Sequence, residues 1–399
     1  MTAALLALSD YWWQWADLAV RWLHVIAGIA WIGASFYFIA LDNHLEPPAD
    51  PRDARRGVAG EVWELHGGGF YRVEKFQVAP ERLPDPLHWF KWEAYTTWLS
   101  GFTLLVVVFY VHASTFLVDP TVRNLSTWEA IVISIAGLAV AWLVYDAVCR
   151  TFANDEGILA VLVFAFICVS AWGACGLFSA RAAYIQVGAM SGTMMVGNVF
   201  FVIIPAQREL VRAKKEGRPP DPSLGKRGKT RSVHNNYLTL PVVFAMLSGH
   251  FPFTYGHRHA WLVLVVLMAI GALTRHYFNL RHKGLNVWPI LLVAAAGLVA
   301  LALLIEPKTH HATGGGQAAV PFTRVQAIVR QRCAACHSMH PTLAGSAPMG
   351  IKLDTRQEIE SRASLIDQYA VQTRAMPLGN ATGMTQAERD VLAQWLAVH

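Results

Sequence analysis

Residues 330–340 read RQRCAACHSMH, and within them Cys333-Ala-Ala-Cys336-His337 carries a specific chemistry. Two thiols at this spacing can form thioethers with one haem, and the histidine that follows becomes an axial ligand of its iron. Zinc is the main rival for two close cysteines. It needs two more good ligands nearby, and the chain has no second cysteine pair. The other three cysteines, Cys149, Cys168 and Cys175, lie in or beside apolar stretches, where a thiol behaves as a small hydrophobe. Haem c is therefore the expected cofactor. Its sixth ligand is expected to be methionine. Met339 and Met349 stand too close to the motif to return across the opposite haem face. Met376, stiffened by Pro377 and just before the last helix, suits the role, with Met384 as the alternative. Thr385 and Glu388 form a capping box that starts that helix, and Trp395 on it is expected to pack against a first helix around Phe322–Val329.

Histidines inside apolar runs form a second group, because an ionisable residue in a membrane span is costly and tends to be functional. His24, His112 and His250 each stand within about two turns of the same expected end of their runs, counted at 3.6 residues per turn. The sequence therefore predicts that they share one depth. Gly28 follows His24 on the same helix face, and Gly101 precedes His112 on its own, which leaves room for a flat macrocycle. A haem b held by two of the three is one expectation. Interhelical hydrogen bonding or another metal would use the same residues.

The elements that must position these groups follow from hydropathy. The chain has 399 residues, 54% of them hydrophobic and 15% charged, with mean hydropathy +0.34. Spanning a bilayer takes about 20 predominantly apolar residues. Eight runs qualify, at 18–41, 95–117, 127–149, 157–179, 182–204, 236–254, 259–277 and 285–305. Gly188 and Gly192 form a G-x-x-x-G pair that favours close helix contact. Aromatic clusters such as Tyr11-Trp12-Trp13-Gln14-Trp15 suit an interfacial belt. The connections 42–94, 150–156, 205–235 and 275–284 carry 20 Lys and Arg, against 3 in 1–17, 118–126, 180–181 and 255–258. The first set is therefore expected inside and both termini outside. This topology agrees with the site where c-type haem is attached. The net charge of +6 lies in loops between apolar runs, so it reads as topology charge and no nucleic-acid partner is expected. No cleaved signal peptide is expected at MTAALLALSD.

The predicted fold class is all-α: an integral membrane domain over 1–306 with eight spans, a Gly-rich linker over 307–320, and a small class I-like cytochrome c domain over 321–399. The inner membrane of a bacterium is the expected location. The C-terminal domain would face the periplasm, and the two long loops, 42–94 and 205–235, the cytoplasm.

WLHVIAGIAWIGASFYF, ELHGGGFYRVEKF and the tethered CAACH after eight spans together resemble the membrane-bound, cytochrome-c-linked urate oxidases of bacterial purine catabolism. The resemblance covers essentially the whole chain. It implies oxidation of urate to 5-hydroxyisourate, with electrons leaving through haem c to a terminal oxidase or a soluble cytochrome c. Urate is an anion, so its site needs a cationic clamp, and proton loss calls for a base. In the loop at 61–75, Arg72 is the candidate clamp and His66 the candidate base, with Glu64 and Lys75 beside them. Gly67-Gly68-Gly69 would admit close backbone approach to a planar ligand. A quinol–cytochrome c reductase and a membrane-anchored electron carrier are the competing readings. If substrate bound inside, electrons would have to cross roughly 30 Å of bilayer. Either a buried relay exists or the active site lies near the outer face.

Overall fold

Within a bilayer a chain must satisfy its backbone internally, and helices do this segment by segment. The computed structural model describes residues 2–306, 320–344 and 346–397 and is mostly helical. Helix α1 (Thr2–His44) is followed by a short α2 (Pro51–Arg55) and a hairpin of β1 (Val58–His66) and β2 (Gly69–Phe76). Then come α3 (Trp92–Leu104) with a π turn at Leu105–Tyr110, α4 (Ala113–Phe116), α5 (Thr127–Thr151) and α6 (Glu156–Cys175). α7 (Ala180–Gly197) runs through a second π turn into α8 (Ile204–Lys215). It is followed by α9 (Pro222–Leu247), α10 (Pro252–Tyr255), α11 (Ala260–His282) and α12 (Pro289–Ile305). A separate C-terminal core holds α13 (Phe322–Arg332), α14 (Arg356–Ser361), α15 (Ala363–Ile366) and α16 (Gln386–Leu396). The expected linker lies outside the described residues except for Val320.

Among the described residues five helices are long and apolar enough to cross a membrane: Tyr11–His44, Thr127–Thr151, Glu156–Cys175, Ala180–Lys215 and Ala260–His282. The other three expected spans take different forms. The run 95–117 is interrupted by the π turn and again at His112. The run 236–254 continues a longer α9 whose first half is basic, and 285–305 is the 17-residue α12. The segment 205–235 is not a loop. Its Lys and Arg are good helix formers, so α8 extends to Lys215, and Asp221 caps α9 by accepting the Ser223 amide at 2.9 Å.

Lipid tails give apolar helices no reason to associate, so small residues and polar bonds hold the bundle together. A Cβ on Gly188 would fall 2.8 Å from that of Ala245, which bears out close contact there, whereas Gly192 faces open space. Gly271 of α11 packs on Pro241 of α9. Gln186 and Ser134 bond across α7 and α5 at 2.7 and 2.8 Å, and Tyr110 joins them at 2.8 Å. Arg231 ties α9 to Asp146 at 2.7 Å and to Asn198 at 3.0 Å. Such bonds contribute about 0.6 kcal/mol each on average.

The two ends of the bundle differ. One carries the hairpin, where Lys75 and Lys229 both meet Asp42 at the end of α1. The other carries the connections 117–126, 176–179 and 251–259, and the C-terminal domain docks there. A Cβ on Gly379 would lie 2.0 Å from the Thr115 carbonyl oxygen, and one on Gly256 would lie 1.8 Å from that of Thr373. Two glycines thus set the closest backbone approach between the domains.

Candidate functional site

The CAACH motif follows directly from α13, with the His337 amide closing a turn on the Cys333 carbonyl at 2.8 Å. Nδ1 of His337 lies 3.1 Å from the Ile351 carbonyl oxygen. A carbonyl only accepts, so Nδ1 carries the proton and the Nε2 lone pair is left for a metal. Burial pushes the Cys333 thiol up to about 11 and also raises that of Cys336. Both sulfurs are therefore thiols at neutral pH, and this donor set fits covalent attachment of haem c. Across the domain, the Met376 amide donates to the Tyr369 carbonyl at 2.8 Å, and its own carbonyl accepts from Arg389 Nη1 at 2.8 Å. Met384, the alternative, is 2% exposed within the domain core. The capping box forms as expected, with Thr385 accepting the Glu388 amide. Trp395 is buried with its ring 6.0 Å from that of Phe322.

Between this domain and the bundle lies a cavity of about 930 Å³. Five arginines line it: Arg123, Arg181, Arg258, Arg374 and Arg389. None forms an ion pair with a described carboxylate. Asp119 is the carboxylate in the lining; its Oδ1 accepts from the Thr121 amide and hydroxyl at 2.9 and 2.7 Å. Phe116, Trp172, Tyr255 and Trp261 supply aromatic surface. The residues either side of Met376, Thr373–Ala375 and Leu378–Asn380, form the wall contributed by the C-terminal domain. Tyr184 fixes the opposite side, donating to the Thr254 and Ala260 carbonyls at 3.1 and 2.6 Å.

The hairpin treats its candidates differently. Cross-strand partners share a face, and the register pairs Trp63 with Arg72, Glu64 with Tyr71, His66 with Gly69 and Gly60 with Lys75. Arg72 therefore faces away from Glu64, His66 and Lys75, so the expected clamp and base cannot hold one ligand together. Arg72 is also neutralised in place by Asp53, Glu61 and Glu74. Glu64 accepts from Tyr37 at 2.7 Å, and Lys75 pairs with Asp42. Gly67 and Gly68 have φ of +58° and +81°, as a two-residue hairpin turn demands. That turn explains them without a ligand.

The membrane histidines are not at one depth. The Trp13 and His112 rings meet edge-on at 6.3 Å, while a Cβ on Gly101 would lie 2.9 Å from His24 Cε1. α1 and α3 are antiparallel in this register, so His24 and His112 are offset by roughly 16 Å of helix. One haem iron cannot take both. His24 is instead an interhelical bridge, with Nδ1 3.0 Å from the Thr97 carbonyl oxygen and 3.1 Å from Ser100 Oγ. α1 begins at Thr2, far upstream of the apolar run 18–41, so His24 lies deeper in the bundle than its place in that run implies. His250 is exposed after α9.

The cavity arginines escaped the sequence reading. Arg123, Arg181 and Arg258 counted there as the three outer topology charges. Their scarcity at that end is the signal that separates them from solvated charge.

The geometry describes a helical bundle, carrying apolar helices of membrane-spanning length, joined to a small domain that holds the CAACH motif. The family whose model is described as urate oxidase N-terminal matches residues 10–306, and the chain belongs to that family. Urate-related oxidation thereby attaches to the helical bundle. No curated protein and no solved structure matches the chain.

Proposed function

We propose that the protein is a membrane-bound urate dehydrogenase that oxidises urate to 5-hydroxyisourate and releases the electrons through haem c in its C-terminal domain. The observation that carries this reading is the direct packing of the family-matched bundle against the CAACH domain, with the segment around Met376 at the contact. Counting α3–α4, the second half of α9 and α12 with the five long helices gives eight spans. The end where the C-terminal domain docks is the end poor in Lys and Arg, which supports a periplasmic place for that domain in a bacterial inner membrane.

Urate and one water yield 5-hydroxyisourate, two protons and two electrons. Bound haem c would supply a one-electron iron couple, used twice per turnover and reoxidised by a terminal oxidase or a soluble cytochrome c. His337, its Nδ1 bonded to the Ile351 carbonyl, would hold the iron through Nε2, and Arg389 fixes the Met376 backbone. The test is anaerobic spectroscopy of the purified full chain. Urate should convert the oxidised c-type bands to the reduced form within seconds. If urate leaves them untouched while a quinol reduces them, the quinol–cytochrome c reductase replaces this reading. If only dithionite does so, the anchored electron carrier replaces it.

A further inference from the structure

We propose that the interdomain cavity is the urate site, with the Arg181 guanidinium as the group that takes the anionic edge of the purine. The inference rests on the proposed function and adds where the substrate binds, by what residue, and on which side.

Charge selects the ligand. Five arginines and one carboxylate give the cavity a strong positive excess, and such a lined cleft concentrates anions. Arg181 is the most telling of the five. It stands at the start of α7, half-buried, and its Nε is buried with no hydrogen-bond partner. No described side chain pairs with its charge. Its carbon lies 5.7 Å from the Phe116 ring centre, and on Gly249 even a methyl would come within 3.3 Å of Nε. The guanidinium is thus held between an aromatic face and a bare backbone, oriented yet unsatisfied. A planar fork of this kind matches a planar acceptor edge such as that of the urate anion. The cavity volume falls within the range of about 300–1,000 Å³ usual for small-molecule clefts.

Position selects the reaction. Substrate in the cavity is separated from Met376 by the thickness of one loop, so electrons reach the C-terminal domain without crossing the bilayer and no buried relay is needed. Asp119 Oδ2 accepts no hydrogen bond from the described residues and lies in the same lining. It is the oxygen available to take a proton as electrons leave. Haem c, held by Cys333, Cys336 and His337, would supply the one-electron acceptor used twice per urate; water would add its oxygen at C5, and Asp119 would pass on the two protons released.

The experiment is equilibrium dialysis of labelled urate against the oxidised full-length protein, paired with anaerobic reduction kinetics. Arg181→Gln should weaken urate binding roughly 10- to 100-fold, the loss of a hydrogen-bonded charge pair, with haem spectra and dithionite reduction unchanged. Arg181→Lys should recover part of the loss, because charge returns without the fork. Gly249→Ala, which alters no charge, should weaken binding in the same direction by displacing the guanidinium. If urate reduces haem c and neither Arg181→Gln nor Gly249→Ala changes its dissociation constant beyond twofold, the cavity assignment is overturned while the dehydrogenase stands. If urate binds in an Arg181-dependent manner yet never reduces the haem, the site stands and the dehydrogenase reading falls. If wild-type protein binds no urate, both fall.

Discussion

Gly256→Ala tests whether the docking of the two domains is the route of the electrons. Gly256 has φ −78° and ψ −7°, a conformation that alanine adopts without strain. The substitution therefore acts only through what the new methyl meets. That is the Thr373 carbonyl oxygen at 1.8 Å, with the carbonyl carbon at 2.6 Å and Cα at 2.8 Å. These are backbone atoms and cannot rotate aside. Thr373 is itself locked, its amide and hydroxyl both bonded to the Gln368 carbonyl at 3.0 and 2.7 Å. Retreat from 1.8 Å to the 3.0 Å that real Cβ contacts require moves the Thr373–Asn380 wall by about 1.2 Å, and a misplacement near 1 Å can cost about 100-fold in rate. In anaerobic stopped-flow mixing, urate should reduce haem c in Gly256→Ala roughly 10- to 100-fold more slowly than in the wild type. Haem attachment and complete reduction by dithionite should not change, because Cys333, Cys336 and His337 lie outside the moved Thr373–Asn380 segment. An unchanged rate at saturating urate would refute the claim that this contact lies on the path from substrate to haem.

Other substitutions separate the two ends of the molecule. Arg72→Gln strips Asp53, Glu61 and Glu74 of their shared cation; it should lower the melting temperature while urate KM stays within twofold, and a selective loss of turnover would return the hairpin to candidacy. Cys333→Ala or Cys336→Ala should leave haem with one thioether or none, read as a shifted reduced band and a loss of haem staining after denaturing electrophoresis. Glu388 gives a pH dependence. Burial opposes its charge, but the Thr385 amide and hydroxyl and Arg332 outweigh this and hold its carboxyl below its ordinary value of 4.5. A carboxylate lowered on folding stabilises above its unfolded value and loses that contribution as pH falls through the folded one. C-terminal domain stability, followed by Trp395 fluorescence, should therefore decline below about pH 4.5. Thr385→Ala should remove about 1 kcal/mol at neutral pH.

What was legible in the sequence was what local spacing dictates. CAACH and the Thr385–Glu388 cap are set within a turn or two of helix, and the packing of Trp395 on Phe322 follows from the apolar faces of the first and last helices of the small domain. Gly188 announced a close contact because its whole message is small size. The hairpin showed in Gly67-Gly68, yet its glycines read equally well as a ligand loop. Only the strand register reveals that Arg72 faces away from His66. The depth of His24 depended on where α1 starts, and helix ends are the least determined feature of an apolar run. The cavity was illegible for a different reason. Its lining comes from connections at 115–123, 172–181 and 255–261 together with the loop at 373–389, segments that no local pattern relates.

The polarity of the bundle then gives the three hundred residues before the haem motif a specific task. Polar groups buried toward the hairpin end bond mostly to one another: Arg231 to Asp146 and Asn198, Tyr145 to His234 at 2.9 Å, and Asn236 receiving Arg275 and Asn279 at 2.8 and 3.0 Å, with Arg275 Nη2 and Asn279 Oδ1 left without a described partner. Networks of this kind tie helices together and specify a packing. At the opposite end Arg389 donates to the Ala370 and Met376 carbonyls, whereas Arg181 has an unpaired Nε. The second end differs in setting five arginines and a single carboxylate around one cavity, an arrangement suited to an anion. That second end is also where the CAACH domain rests, so under the proposed function capture of the substrate and removal of its electrons would fall on one face of the molecule. On that reading the helices would serve as a rigid frame for the cavity, and charge would not have to cross the frame at all.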